Sequence, residues 1–211
     1  VPFVKESYSQ EGEDLMLDIM LAYKKRGIYV DIGAHHPFKF SNTYYFYLKG
    51  WSGVCIDPRL GVDKLFEKHR PRDVFLNKGV GLSKKKLVYY KMKDPALNTF
   101  VKEIMEKRVL NGFELEKVLT VEVMDLESIL NKYLKTQTID FMSIDVEGFE
   151  KEVLLSNNWI KYKPSFVIVH LKSNSIEDCL VSDITKILLS RNYILYAKSY
   201  HSIFFKIKSI N

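Results

Sequence analysis

The chain has 211 residues, 46% of them hydrophobic and 27% charged, a globular balance that excludes disorder and supplies apolar material for a core. No apolar run approaches the ~18 residues that cross a bilayer, and two cysteines without a CxxC pair exclude a disulfide framework or a thiolate metal site. A net charge of +6 favours anionic partners in general but specifies none, because the basic residues are scattered. No signal-peptide pattern is present, and the expected location is the cytoplasm.

Apolar spacing predicts a helix from about Glu11 to Lys25, capped by Ser9 and burying Leu15, Ile19, Ala22 and Tyr23. A buried strand, Gly27 to Gly33, follows, ending in a glycine turn. Ser41 or Asn42 caps the next helix, which ends before Gly50 and turns Tyr44, Tyr47, Leu48 and Trp51 to one face. Val54–Asp57 reads as a second strand, then a helix with Val62, Leu65, Phe66 and His69 on one face, then a third strand over Asp73–Asn77. Gly79 and Gly81 punctuate the turn after it.

Leu87–Met92 and Leu119–Met124 read as extra strands around a less regular stretch, 94–117, with Lys84, Lys85 and Lys86 at a hairpin tip. Asp125 caps a helix through Tyr133; Ile139–Asp145 is a fourth strand, with a helix from about Phe149. Ser165–His170 is a fifth, and Ile176, Leu180, Ile184, Ile187 and Leu188 mark one long helix. The last two strand-like runs, Tyr193–Ala197 and Ile203–Ile207, are too close together for a parallel crossover and must form a hairpin. The expected architecture is α/β: a doubly wound, seven-stranded, mostly parallel sheet with a C-terminal antiparallel hairpin, in one domain over 1–211. Within it, 1–26 is an N-terminal helical segment and 83–124 a hairpin insert.

Ligands of such sheets bind beyond the carboxyl ends of the strands. Those ends carry Asp31 and Gly33, Asp57, Asn77, Asp145 and Glu147, and His170. Asp57 follows Asp31 at close to the ~20-residue spacing of an acid that grips ribose hydroxyls. The run Asp31-Ile-Gly-Ala-His-His-Pro37 lacks the GxGxxG series that a pyrophosphate requires, which disfavours NAD and FAD.

Five segments, Ser9–Leu17, Tyr29–Pro37, Ser41–Tyr44, Gly50–Asp57 and Ile139–Gly148, together resemble an FkbM-type methyltransferase in order and spacing. The most specific is Asp145-Val-Glu-Gly148 followed by Glu150 and Val153-Leu154. The resemblance implies a class I, Rossmann-like fold, whose sheet ends in such a hairpin, and an S-adenosylmethionine-dependent O-methyltransferase that releases S-adenosylhomocysteine. It implies cofactor contacts at Asp31, Gly33, Asn42 and Asp57, with Ala34, His35 and Ser41 in the same segments. It also places Asn77 near the adenine and Asp145 near the methionine end, with Gln10 closing over the pocket.

An alcohol acceptor must lose a proton, so Glu147 or His170 is expected as general base with Asp145 orienting. No metal is expected, although Asp145, Glu147 and His170 are plausible ligands of a divalent ion. The expected acceptor is a small sugar-like molecule met by the insert, where Asn98, Thr99 and Phe100 open the irregular stretch; nucleic acid and membrane are not expected partners. The alternatives are an RNA methyltransferase and a catalytically silent scaffold of the same fold. Oligomeric state is left open.

Overall fold

The computed structural model describes residues 4–82, 85–135, 138–173 and 175–208. Its central sheet carries β1 (Ile28–Ile32), β2 (Ser52–Ile56), β3 (Val74–Leu76), β7 (Phe141–Ile144), β8 (Phe166–His170), β9 (Tyr193–Lys198) and β10 (Ser202–Ile207). Their order is β3-β2-β1-β7-β8-β10-β9, parallel except for β10, which runs antiparallel to both its neighbours. This is the doubly wound sheet with a terminal hairpin that the sequence predicts. The strands at its centre are largely apolar because helices cover both faces: β2, β7 and β8 are almost wholly buried. The order reverses between β1 and β7, which opens a crevice at their carboxyl ends.

A second sheet of three strands has the order β4 (Gly79–Val80), β6 (Leu115–Met124), β5 (Lys85–Met92). The glycine turn after β3 is therefore itself a strand, pairing parallel with β6. Lys85 and Lys86 do not form a hairpin tip; they open β5 opposite Val123 and Glu122, while Lys84 lies outside the described residues. The stretch 94–117 is regular as well, with a 3-10 turn at Pro95–Leu97 and a helix, α4 (Lys102–Leu110), before β6 begins. Sequence periodicity gave no sign of α4 because it buries only Met105 and Arg108 and carries charge on most other faces.

The remaining helices are α1 (Glu13–Met20), α2 (Tyr44–Leu48), α3 (Val62–His69), α5 (Leu126–Tyr133), α6 (Glu150–Leu155), α7 (Ile176–Val181) and α8 (Asp183–Ser190). Helix α1 is shorter than its predicted span, starts at Gly12 rather than Ser9, and stops where Ala22 and Tyr23 turn left-handed at φ 51° and 56°. Its buried face is Glu13, Asp14, Leu17 and Asp18, whereas Ile19 is exposed. The acids face inward because each has donors there: Asp14 accepts from Ser7 Oγ, Ser9 Oγ and Tyr8 N, and Asp18 from Tyr45 Oη at 2.8 Å. In α2 the buried residues are Phe46 and Tyr47, with Trp51 beyond the helix, and Leu48 points to solvent. The single long helix expected from Ile176 is two, because the Ser182 hydroxyl accepts Thr185 N at 3.1 Å and restarts the chain as a new N-cap.

Candidate active site

A cleft of about 1050 Å³, open solvent included, crosses the carboxyl ends of β2, β1, β7 and β8. Its inner wall is the turn after β1. There Gly33 sits at φ +83°, and a Cβ on it would come 1.7 Å from the Asp145 carbonyl, so only glycine lets the two strand ends approach. Gly33 N and Ala34 N both donate to Ile56 O, and Asp145 N donates to Ile32 O, which locks three strand ends together. At the next position His35 holds a left-handed φ of 46°, its N–H donating to Asp57 Oδ2 at 3.0 Å. Asp57 Oδ1 accepts Arg59 N, so the carboxylate is fixed from both sides.

Behind this wall lies Arg70, fully buried. Its Nε pairs with Asp73 at 2.7 Å, and its Nη2 donates to Tyr29 Oη and Thr43 Oγ1, each at 2.9 Å. Its Nη1 reaches Pro37 O and Ser41 Oγ, and Thr43 Oγ1 in turn donates to Asp31 Oδ2 at 2.6 Å. One guanidinium thus joins β1, the loop 37–43 and the approach to β3. Burial pushes the Asp31 carboxyl up to about 6, against the opposing pull of the Thr43 hydrogen bond and the Arg70 charge.

The outer wall comes from sequence-distant pieces. From the insert, Tyr89, Pro95, Ala96, Asn98 and Phe100 face the cleft. Asn98 Oδ1 accepts Met92 N at 2.8 Å while its buried Nδ2 has no partner. Arg108, on α4, spans to the Glu147 carboxylate, and Thr99 Oγ1 donates to Glu147 O at 2.8 Å. Lys172 reaches the same carboxylate at 2.8 Å. Glu147 is itself left-handed at φ 52°, and the following Gly148, at φ +104°, packs so tightly that a Cβ would lie 2.1 Å from Ile104 Cδ1. At the other end the N-terminal segment lays Gln10 and Glu13 along the cleft beside Ser202.

Between the walls, His170 Nδ1 faces Asp145 Oδ2 at 3.8 Å, an ion-pair separation longer than a hydrogen bond. Asp145 Oδ1 and His170 Nε2 are buried without partners. Burial first, and then the Glu147 charge, push the Asp145 carboxyl up to about 7; burial lowers the His170 imidazole and keeps it neutral near pH 7. The His201 ring stacks on His170 with centroids 5.5 Å apart. Ligand atoms of Asp145, Glu147 and His170 lie within 4.8 Å of one another.

The FkbM methyltransferase domain profile matches residues 31–195, most of the chain and every element from β1 to the start of β9. The chain belongs to the FkbM methyltransferase family. It is an S-adenosylmethionine-dependent methyltransferase of the class I type. Among solved structures, a TehB-like SAM-dependent methyltransferase from Corynebacterium glutamicum superposes with a TM-score of 0.47 at 9% identity, covering 94% of this chain and 88% of that one. A protein assigned as a type 11 methyltransferase from Sulfolobus solfataricus gives 0.44 at 12% identity, covering 97% and 96%. No curated protein sequence matches significantly. No helix among the described residues is long and apolar enough to cross a membrane.

In this FkbM-family cleft the fold brings together Asp31, Gly33, Ala34, His35, Asn42, Asp57, Asp145, Glu147 and His170 from the residues singled out in the sequence. Ser41 and Asn77 do not line it. The Ser41 hydroxyl accepts from Tyr44 N and Arg70, and Asn77 Nδ2 donates to Asp57 O at 3.1 Å, so both brace the wall from behind. Sequence reading missed Arg70, Glu13, Arg108 and Lys172. Arg70 follows an amphipathic helix and looks like a solvated last-turn cation. Glu13 and Arg108 reach the site through long-range packing that no local spacing announces, whereas Lys172 follows closely on His170 and meets Glu147 from there.

Proposed function

We propose that this methyltransferase moves the methyl group of S-adenosylmethionine to an oxygen of a small, neutral, hydroxylated acceptor, a saccharide or glycan precursor. The observation that carries the reading is the charge of the cleft. Although the chain is net basic, the described lining of the cleft holds the carboxylates of Glu13, Asp31 and Asp145, together with Asp57 paired to Arg59 and Glu147 paired to Arg108 and Lys172, against the Lys78 ammonium. Such a lining suits a cofactor that carries a sulfonium and an ammonium, and repels a phosphodiester chain. The tight turn at Gly33 fits a nucleoside without a pyrophosphate. Asp31, Gly33, Ala34, His35, Asn42 and Asp57 would hold that cofactor, and when bound it supplies an electrophilic methyl group.

The chain's own residues position the acceptor and take its proton. Tyr89, Phe100 and the unpaired Asn98 amide offer an apolar face and a donor to a sugar ring, which makes the insert the acceptor-facing wall. Glu147 is already neutralised by Arg108 and Lys172, so it serves as an anchor rather than a base. The hydroxyl proton passes to Nδ1 of neutral His170 as the oxygen takes the methyl, and Asp145 stabilises the imidazolium that results. His170→Gln is expected to lower kcat by about 10²–10³-fold with unchanged S-adenosylhomocysteine affinity. Near-normal turnover of that variant would overturn the assignment, and methylation of RNA in place of sugars would overturn the acceptor class.

A second reading rests on the close approach of Asp145, Glu147 and His170, a set that also suits a divalent cation bound by two carboxylates and an imidazole. The two cations already paired with Glu147 weigh against it. Activity that survives exhaustive EDTA treatment eliminates this reading, and loss restored by added Mn²⁺ or Mg²⁺ establishes it.

A further inference from the structure

The family match begins at residue 31 and ends at 195, yet the cleft also has a wall outside those bounds. Gln10 and Glu13 come from the segment before β1, and Ser202 opens β10 directly opposite His170. The segment is strapped across the β9–β10 turn. Glu11 accepts from His201 N and Ser199 Oγ, each at 2.8 Å, and pairs with the His201 ring. Glu13 is 3% exposed. Its Oε1 accepts from Ser202 Oγ at 3.1 Å and Ser199 Oγ at 3.4 Å, and its Oε2 accepts from Glu11 N at 2.8 Å.

All three donors to Glu13 are neutral. The cation-capable side chain nearby, His201, is taken by Glu11, and Glu13 has no ion pair among the described residues. A buried carboxylate held only by hydroxyls and an amide lacks a compensating charge. Across the cleft stands Asp145, whose Oδ1 is buried and unpartnered and whose carboxyl is raised in part by the charge of Glu13 itself. Both carboxylates line the cleft, and among the described residues neither has a Lys or Arg ion pair. The sheet order places Glu13, held at the start of β10, away from Asp57, the ribose end of the cleft, with β1, β7 and β8 between.

We infer that Glu13, from the N-terminal strap, forms with Asp145 the subsite for the α-ammonium of the cofactor's amino-acid end. The inference rests on the methyltransferase reading of the cleft and adds a specificity determinant from outside the matched family region. It makes the strap a part of the binding site: without residues 7–14 the cleft keeps its nucleoside end and loses its grip on the amino acid.

Three ligands separate the possibilities: S-adenosylhomocysteine, its analogue lacking the α-amino group, and 5′-deoxy-5′-methylthioadenosine, which lacks the whole amino-acid end. Each is titrated calorimetrically into the intact wild-type protein and Glu13→Gln, with a melting curve for both. Wild type is expected to prefer S-adenosylhomocysteine over the des-amino analogue by roughly 30-fold, and Glu13→Gln to bind the two nearly alike. Methylthioadenosine should bind both proteins equally. A Glu13→Gln protein that keeps the full preference overturns the inference. So does one that loses methylthioadenosine affinity in the same proportion, because Glu13 then acts only through folding of the strap. Wild type that binds none of the three overturns the methyltransferase reading itself, and with it the inference. Should Glu13→Gln not fold, Ser202→Ala takes its place. Freeing Oε1 of a neutral donor is expected to sharpen the preference for the ammonium, and an unchanged preference counts against the assignment.

Discussion

The inner and outer walls of the cleft are held by different physics. The inner wall, at the ends of β1 and β2, is a backbone structure. Gly33, Ala34 and Asp57 are fixed by main-chain hydrogen bonds between neighbouring parallel strands, and the fully buried Arg70 ties them from behind. The outer wall is a side-chain structure in which the insert and the strap are held to the sheet by a few charged and polar links. These include Arg108 to Glu147, Thr99 to the Glu147 carbonyl, and Glu11 to the β9–β10 turn. A nucleoside common to all reactions of this type needs the rigid wall. An acceptor that differs between enzymes is better served by the wall that side-chain changes can reshape.

The contrast has graded consequences. The largest is expected at Gly33, where an added methyl meets the Asp145 carbonyl in a backbone conformation that L-residues disfavour. Gly33→Ala should reduce S-adenosylhomocysteine affinity by about two orders of magnitude or prevent folding, read by calorimetry beside a melting curve. Retained affinity would show that the inner wall is less rigid than its hydrogen bonds imply. Next is Arg70→Met, which strands Asp73 and unlinks Thr43, and should cost about 3–5 kcal/mol in urea unfolding. Adding Asp73→Asn should recover much of that loss, because the stranded charge is the main penalty.

The insert side of the outer wall should yield by smaller steps that leave the cofactor alone. Arg108→Gln releases α4 from Glu147 and is expected to raise the acceptor KM by roughly 10-fold while S-adenosylhomocysteine affinity stays within about twofold. An equal loss of both would mean that the two walls are one mechanical unit. Asn98→Ala, which removes the unpaired donor, should raise acceptor KM by about 5-fold with kcat little changed.

The smallest effect concerns pH. The Asp145 carboxyl is raised to about 7 in the folded protein, so the folded state holds its proton to higher pH than the unfolded chain. The unfolded chain then binds fewer protons between pH ~4 and ~7, and stability falls as pH rises through that window. Asp145→Asn should remove this component and flatten the decline in melting temperature from pH 5 to pH 8 by a few degrees. A decline as steep as in wild type would place the titration elsewhere.

Legibility in the sequence follows the same division. The inner wall could be read because its residues sit at strand ends in a fixed order, and strand-to-turn transitions are local events marked by apolar runs, glycine and acid. Asp31, Gly33, Asp57, Asp145 and His170 stand at such strand ends in the sequence, and all five line the cleft. Ser41 and Asn77 fall in the same region, with their side chains engaged behind the cleft wall. Local pattern shows that a polar residue follows a strand, not whether its side chain turns toward the cleft or, as in Asn77, back to the Asp57 carbonyl.

The sequence by itself therefore determined the alternation of strands and helices, the C-terminal hairpin, and the acidic residues at the parallel strand ends, because each depends on periodicity and chain geometry over a few residues. Tertiary structure alone decided the rest. It made Gly79–Val80 a strand by pairing it with β6, and made 102–110 a helix by burying Met105 and Arg108. It turned the acids of α1 inward to donors more than twenty residues away in one case and only a few away in another. It carried Glu13 to the cleft and Arg108 to the Glu147 carboxylate from two distant parts of the chain. Such choices depend on which donor or counter-charge a charged group finds once the chain is compact, and a buried charge with no hydrogen-bond partner at all is too costly to persist.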